Sequence, residues 1–280
     1  MNLDIPFIRL KDGQHLPAIG YGTVFLKGSE AVSSFESAIS NGYRLLDSAY
    51  NYENEGTLGE AIRKSRVSRE ELMVTSKLPG RYHDYGEALK AIEESLYRAH
   101  LEHFDLYLIH WPNPKEGKFV EAWQALIEAK KRGLVRSIGV SNFLPEHIEQ
   151  LEKETGELPV INQIEMHPFF NQAEQRKWHE ERGIVTEAWS PLFRGRGVLS
   201  EPSIMELAET YGRTPAQIVL RWHYQHGNVS IPRSSHPDRQ CENLSIFDFE
   251  LSLEDMGKID SLSRPDGRID DQDPAVYQEF

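Results

Sequence analysis

Residues 104–140 read FDLYLIHWPNPKEGKFVEAWQALIEAKKRGLVRSIGV. The run 104–109 is short, apolar and of β type. After a brief polar loop, 118–132 carries the amphipathic spacing of a helix, with Ala122, Trp123, Leu126 and Ala129 on one side. Gly133 follows Arg132 and suits the left-handed residue that stops a helix. A second β run, 135–140, comes directly after. Strand, helix and strand in this order give parallel strands joined by a crossover helix.

The same alternation extends in both directions. Further strands are expected at 17–21, 43–46, 72–76, 160–164, 184–188 and 229–231, making eight. Helices are expected at 29–41, 56–65, 85–100, 145–155 and 172–182, with a pair at 202–211 and 214–226. Gly183 repeats the helix-stop signal of Gly133, and Ser68-Arg-Glu-Glu71 has the form of a capping box, at a helix start or in a turn. Eight short strands, each buried on both sides, suit a closed (β/α)8 TIM barrel better than an open sheet. The 280 residues fit one such domain, since these barrels run to about 200–250 residues or somewhat more. Lys11-Asp12-Gly13 between two apolar-polar runs signals a β-hairpin, placed to close the barrel bottom. No interdomain linker is visible, so residues 1–280 are read as a single barrel domain. The stretch 264–280, rich in Asp, Gly and Pro, is its irregular tail, expected near the pocket.

The formal net charge of −13 argues against nucleic acid or anionic lipid as a partner. The single cysteine, Cys241, rules out an intramolecular disulfide and a Cys-rich zinc site, and fits a reducing cytoplasm. Residues 1–13 lack the apolar run of a signal peptide, and no stretch approaches the ~18 apolar residues of a membrane span. A cytoplasmic monomer is the expectation.

In barrels of this kind the chemical groups sit at the C-terminal ends of the strands. The strands here lead into Asp47, Ser76-Lys77, His110-Trp111, Ser141-Asn142, Asn162-Gln163, Trp189-Ser190 and Arg233-Ser234. Each pair alone is ordinary loop polarity; the coincidence over seven strands carries the weight. A free tyrosine, with a pKa of about 10, is a poor acid at neutral pH. A nearby ammonium favours the tyrosinate. Lys77 supplies that charge, Asp47 holds Lys77, and Tyr52 follows Asp47 closely enough to reach the same rim. His110 adds a hydrogen-bonding group for a substrate oxygen. This set suits protonation of a developing alkoxide. On the residues alone, a structural Lys77–Asp47 ion pair with an ordinary Tyr52 fits equally well.

At these positions the chain resembles the aldo-keto reductases, over most of its length from about Ile8. The stretch 42–59, GYRLLDSAYNYENEGTLG, is similar to their first signature. So are LYLIHWP (106–112), GVSNF (139–143), NQIEMHP (162–168), Ser190-Pro-Leu192 and Ile231-Pro-Arg-Ser234, with Arg239 and Glu242-Asn243. Trp189, Trp111-Pro-Asn-Pro and Asp266-Gly-Arg-Ile place the resemblance in the bacterial branch, with 2,5-diketo-D-gluconate and methylglyoxal reductases. The resemblance implies NADPH as cofactor and reduction of aldehydes, ketoacids or diketones to alcohols. It implies a tetrad of Asp47, Tyr52, Lys77 and His110, in which Tyr52 protonates the carbonyl oxygen as hydride arrives from the nicotinamide. Trp111 joins Tyr52 and His110 in the substrate pocket. Gly22, Thr23 and Asp47 border the cofactor. Ser141, Asn142 and Gln163 hold its carboxamide, Trp189 stacks on the nicotinamide, and Ser190 and Leu192 touch the pyrophosphate. Arg233, Ser234 and Arg239, with Glu242 and Asn243, take the adenosine end, where two arginines make a good clamp for a 2′-phosphate.

Four positions depart from the family pattern. Arg233 replaces the usual Lys and His236 a usual small residue, both beside the 2′-phosphate site. Val24 and Pro79 stand where many members have pocket aromatics. A non-catalytic NADPH-binding regulatory partner on the same fold is the competing reading, which an intact tetrad disfavours.

The remaining features read as structural. His100-x-x-His103 and His223-x-x-His226 lack the His-Glu-x-x-His form, so no metal is expected. His167 reads as a loop residue without a role. Trp123, Trp178 and Trp222 read as core, Trp111 and Trp189 as pocket, and Cys241 as a structural residue in a helix-like stretch. Gly195-x-Gly197-x-x-Ser200 lacks the strand-turn-helix setting of a dinucleotide fingerprint.

Overall fold

The computed structural model describes residues 5–280. The reading of residues 1–13 as free of a leader therefore falls partly outside the described residues.

Two short strands, β1 (Phe7–Arg9) and β2 (His15–Pro17), form the antiparallel hairpin, with Ile8 opposite Leu16. Its turn is the Lys11-Asp12-Gly13 sequence, and Gly13 takes a φ of 95°. Then come β3 (Tyr21–Gly22), β4 (Leu45–Asp47), β5 (Met73–Leu78), β6 (Phe104–Ile109), β7 (Val135–Ser141), β8 (Ile161–Glu165), β9 (Val185–Trp189) and β10 (Val229–Ser230). These eight lie parallel in chain order. The ring closes where Ile19 bridges Ser230, with Gly20 N–H donating to Ser230 O at 2.8 Å and Gly22 N–H to Pro232 O at 3.2 Å. The architecture is a (β/α)8 barrel with a hairpin at its lower end.

The helices wrapping this barrel are α1 (Gly28–Asn41), α2 (Glu55–Lys64), α3 (Tyr85–Ala99), α4 (Phe119–Lys131), α5 (Pro145–Thr155), α6 (Ala173–Glu181), α7 (Pro202–Tyr211), α8 (Pro215–Gln225), α9 (Pro237–Leu244) and α10 (Leu253–Asp260). Gly133 and Gly183 carry positive φ at the ends of α4 and α6, as the sequence predicts. The Ser68 capping box closes a short 3-10 turn, with the Glu71 carboxylate accepting from both the N–H and the hydroxyl of Ser68.

The hairpin is a floor because its apolar residues enter the barrel. Leu10 and Leu16 are buried with Leu45, Leu106, Leu108 and Val229 from the strands. The Ser137 hydroxyl donates to Asp12 Oδ2 at 2.6 Å and ties the hairpin turn to β7. Truncating either leucine to Ala would cost about 2–5 kcal/mol, typical of a buried leucine. Outside the strands, a second core packs α1 to α5 on the sheet around Phe35, Ile92, Trp123, Leu126 and Ile148.

Some expectations change. Pro17 belongs to the hairpin, so the first barrel strand starts at Tyr21 and is two residues long. Helix α10 was not anticipated. It buries only Met256 and Ile259, too few apolar positions to set a period, although Ser252 Oγ caps it by accepting from Asp255 N–H at 3.1 Å. Trp123 and Trp222 are buried, but Trp178 is half-exposed and lies under the Arg182 guanidinium at 4.0 Å. Cys241 is in α9 as read, yet exposed to solvent, so it packs nothing. His167 is fully buried, bonded to Glu165 and 4.5 Å from the Phe193 ring, because the loop after β8 folds under the tail.

Candidate active site

The rim is assembled by the loops after β4, β5 and β6. After Asp47 the chain runs extended through Ala49 and makes a 3-10 turn at Tyr50–Tyr52, which ends at Glu53 with φ 53°. The buried side chain of Asn54 locks this turn. Its Nδ2 donates to the carbonyls of Thr23 and Leu26, each at 2.9 Å, and its Oδ1 accepts from Ser48 Oγ at 2.6 Å. Thr23 Oγ1 donates to Asp47 O at 2.8 Å. Nothing in the spacing of Asn54 announces this role; only the fold brings the loop after β3 beneath it.

Lys77 projects from β5 into this corner. Its ammonium is 2.6 Å from Asp47 Oδ1 and 2.8 Å from Ser48 O, and lies 4.9 Å from the centre of the Tyr52 ring. Burial acts to strip its proton, but Asp47 and then Tyr52 hold it on, and the balance lies above the ordinary ammonium value. For Tyr52 the expected lowering is reversed. Burial pushes its phenol above the ordinary value, Lys77 pulls the other way, and Asp47 adds to the rise. The phenol is therefore a protonated donor beside a fixed cation. The His110 ring stands edge-on to Tyr52, centroids 5.7 Å apart.

Behind Asp47 a second layer continues. Gln163 Nε2 donates to Asp47 Oδ2 at 2.8 Å and to Glu187 Oε2 at 2.6 Å. Glu187, fully buried on β9, is pushed up to about 8 by burial and then by the charge of Asp47. Asn142, at φ 61°, donates to His110 O and Ser141 Oγ, both at 3.0 Å, and accepts from Trp189 Nε1 at 2.7 Å. Ser141 Oγ donates to Gln163 O at 2.9 Å.

All this borders one cavity of about 780 Å³, within the size range of small-molecule sites. Of the residues expected at the site, all but Lys77 and Ser141 line it; those two sit directly behind the wall. Tyr52, His110, Trp111, Gln163 and Trp189 form one part. Ser190, Leu192, Arg233, Ser234, Arg239, Glu242 and Asn243 extend it between the loops after β9 and β10, with Gly22 and Thr23 between the two. Val24 and His236 are also on the wall, whereas Pro79 is not and instead precedes the turn Gly80–Tyr82. The Glu242 carboxylate is engaged by the Thr214 hydroxyl at 2.7 Å.

Several wall residues escaped the sequence reading. Phe25, at φ 66° and largely exposed, supplies an aromatic surface near the Arg233 guanidinium, 5.9 Å from its ring centre. Arg194, on the wall, and Arg196, off it, both in the loop after β9, pair with Asp270 at 2.8 and 2.9 Å and strap that loop to the tail. The tail also contributes Tyr277, 4.4 Å from the Trp111 ring, and Glu279, whose Oε1 is 2.7 Å from His110 Nδ1. Among the described residues no three His, Cys, Asp or Glu side chains are grouped to hold a metal ion, and no helix is long and apolar enough to cross a membrane.

Comparison with known proteins follows the same outline. Residues 18–264 match the model of the aldo/keto reductase family. The chain is 49% identical over 277 residues to 2,5-diketo-D-gluconic acid reductase B of Corynebacterium sp. (strain SHS752001), covering 99% of each chain. It is 43% identical over 258 residues to methylglyoxal reductase DkgA of Escherichia coli (strain K12), covering 92% of this chain and 93% of that one. A crystal structure of a Gox0644 mutant in complex with NADPH superposes with a TM-score of 0.93 at 43% identity, covering 98% of this chain and 99% of that chain.

Proposed function

The chain belongs to the aldo/keto reductase family, and we propose that it uses NADPH to reduce small aldehydes, ketoacids or diketones to alcohols, with Tyr52 as the proton donor. The observation that carries this reading is the convergence of Tyr52, Lys77, Asp47 and His110 at one part of a cavity whose other part bears two arginines.

The cavity residues fit the cofactor. Arg233 and Arg239, with Ser234, offer charge and hydrogen bonds for a 2′-phosphate. The open channel past Ser190 and Leu192 suits the pyrophosphate, and Trp189 offers a flat aromatic face. Gln163, with Asn142 and Ser141 behind it, suits the carboxamide: its Nε2 is committed to two carboxyl groups, which leaves its Oε1 free to accept. When bound, NADPH supplies the hydride.

The residues of the chain handle the proton. Burial keeps the Tyr52 phenol protonated at neutral pH, so it holds the proton that a reduced carbonyl oxygen needs. The Lys77 ammonium, fixed by Asp47 and Ser48, stabilises the phenolate left behind. His110 and Trp111 orient the carbonyl. The loop between β6 and α4 is short, which leaves room for several small substrates, and the relatives named for diketogluconate and methylglyoxal set the class to try first. NADPH oxidation against methylglyoxal, aromatic aldehydes, 2,5-diketo-D-gluconate and simple ketones, with NADH in parallel, tests the reading. Tight NADPH binding without turnover on any of them would overturn it.

A further inference from the structure

The tail segment does more than cover the barrel. Glu279 Oε1 accepts from Asn51 Nδ2 at 2.7 Å, next to Tyr52, and lies 2.7 Å from His110 Nδ1 as an ionic contact rather than an in-line hydrogen bond, with no other partner on that nitrogen. Its Oε2 accepts from Gly80 N–H at 3.3 Å. Its main chain exchanges two hydrogen bonds with the Asn113 side chain, at 3.0 and 2.6 Å. Three rim loops, after β4, β5 and β6, thus converge on one residue. Gly80 allows the approach: a Cβ there would sit 2.2 Å from Glu279 O and 2.0 Å from Asn113 Nδ2, so any side chain at 80 would displace the segment. Two residues earlier, the Tyr277 ring packs at a tilt against Trp111.

We propose that Glu279 is the positioning residue for His110: its carboxylate takes the Nδ1 proton side of the imidazole and fixes the ring against the substrate. A carboxylate beside one ring nitrogen selects the tautomer that protonates that nitrogen. Nε2 is then the nitrogen left for substrate, an acceptor for an alcohol O–H in the neutral ring and a donor to a carbonyl in the cation. The carboxylate stays charged in this setting. Burial works against it, but His110, Asn51 and the Gly80 N–H together hold it below the ordinary carboxylate range. The other titratable groups near it are Tyr52, His83 and, through Asn51, Arg81; none offers His110 another anion.

This inference rests on His110 facing substrate, so its test has two readouts. The first is steady-state reduction and NADPH binding in Glu279→Ala and Glu279→Gln. Glu279→Ala is expected to lower kcat about ten- to hundredfold, as a displaced catalytic group does. NADPH affinity should stay within about twofold, because the arginine end of the cavity is untouched. Glu279→Gln keeps an acceptor oxygen and should recover most of the loss. The second readout is the long-range 1H–15N spectrum of His110, which needs no turnover. The proton is expected on Nδ1 in the parent and in Glu279→Gln, and to move toward Nε2 in Glu279→Ala. Unchanged His110 signals in Glu279→Ala would overturn the proposal, as would unchanged kcat in an active parent. Inactivity of the parent on every carbonyl would instead defeat the reductase reading and leave the spectrum to decide the pairing. If Glu279→Ala does not fold, the Glu279→Gln spectrum decides: loss of the Nδ1 proton there rejects the pairing.

Discussion

Lys77 Nζ lies 2.6 Å from Asp47 Oδ1, and the two side chains are 0% and 2% exposed. A buried ion pair of this kind contributes little net stability, yet removing one partner strands the other charge. Asp47→Ala should therefore destabilise the fold by about 3–5 kcal/mol, and it should also lose turnover. Urea unfolding measures the first effect. A loss below about 1 kcal/mol would mean that Ser48 O and water solvate Lys77 well enough alone.

Tyr52→Phe removes the phenol and keeps the ring against His110. Carbonyl reduction should fall by at least about a hundredfold, the usual share of a positioned acid. NADPH binding, followed by fluorescence titration, should hardly change. Wild-type turnover in this variant would assign the proton to another group.

Arg233→Ala combined with Arg239→Ala should weaken NADPH far more than NADH, by about 3 kcal/mol or more if both guanidiniums meet the 2′-phosphate. Parallel titrations with the two cofactors check this. Equal weakening of both would remove the arginines from that role.

Glu187 gives a stability prediction with a definite sign. Its carboxyl titrates near 8 in the folded chain, against an ordinary value of 4.5. Between those values the folded state holds a proton that the unfolded chain has lost. The stabilisation from that proton is complete below 4.5 and disappears as pH rises through about 8. Glu187→Gln mimics the protonated acid at every pH and can still accept from Gln163. It should match the parent near pH 4 and exceed it by about 3–5 kcal/mol above neutrality. Melting curves across that range decide; a constant difference would show that the carboxyl is already ionised in the fold.

The barrel was legible because its signals are local. The run 104–109 coincides with β6, and 145–155, 202–211 and the helix-stop glycines matched as read. The strand ends that carry Asp47, Lys77 and His110 were legible for the same reason. What stayed hidden depends on three-dimensional closure. The charge of Lys77 was visible beside Tyr52, but the burial that outweighs it was not. Glu187 sits between Thr186 and Ala188 on β9, and nothing in that short run signals that it faces Asp47. Glu279 lies in a stretch without periodicity, and its meaning comes only from Gly80, Asn51 and His110, which are far from it in sequence.

Cys241 sits exposed on α9, directly before Glu242 and Asn243, which line the cavity, while its own thiol faces solvent. The chain has no second cysteine. A thiol-reactive dye would thus attach at one place and in one-to-one ratio, beside the cavity rather than in it. The molecule comes with its own optical gauge of ligand occupancy, readable without any chemical turnover and without adding or removing a residue.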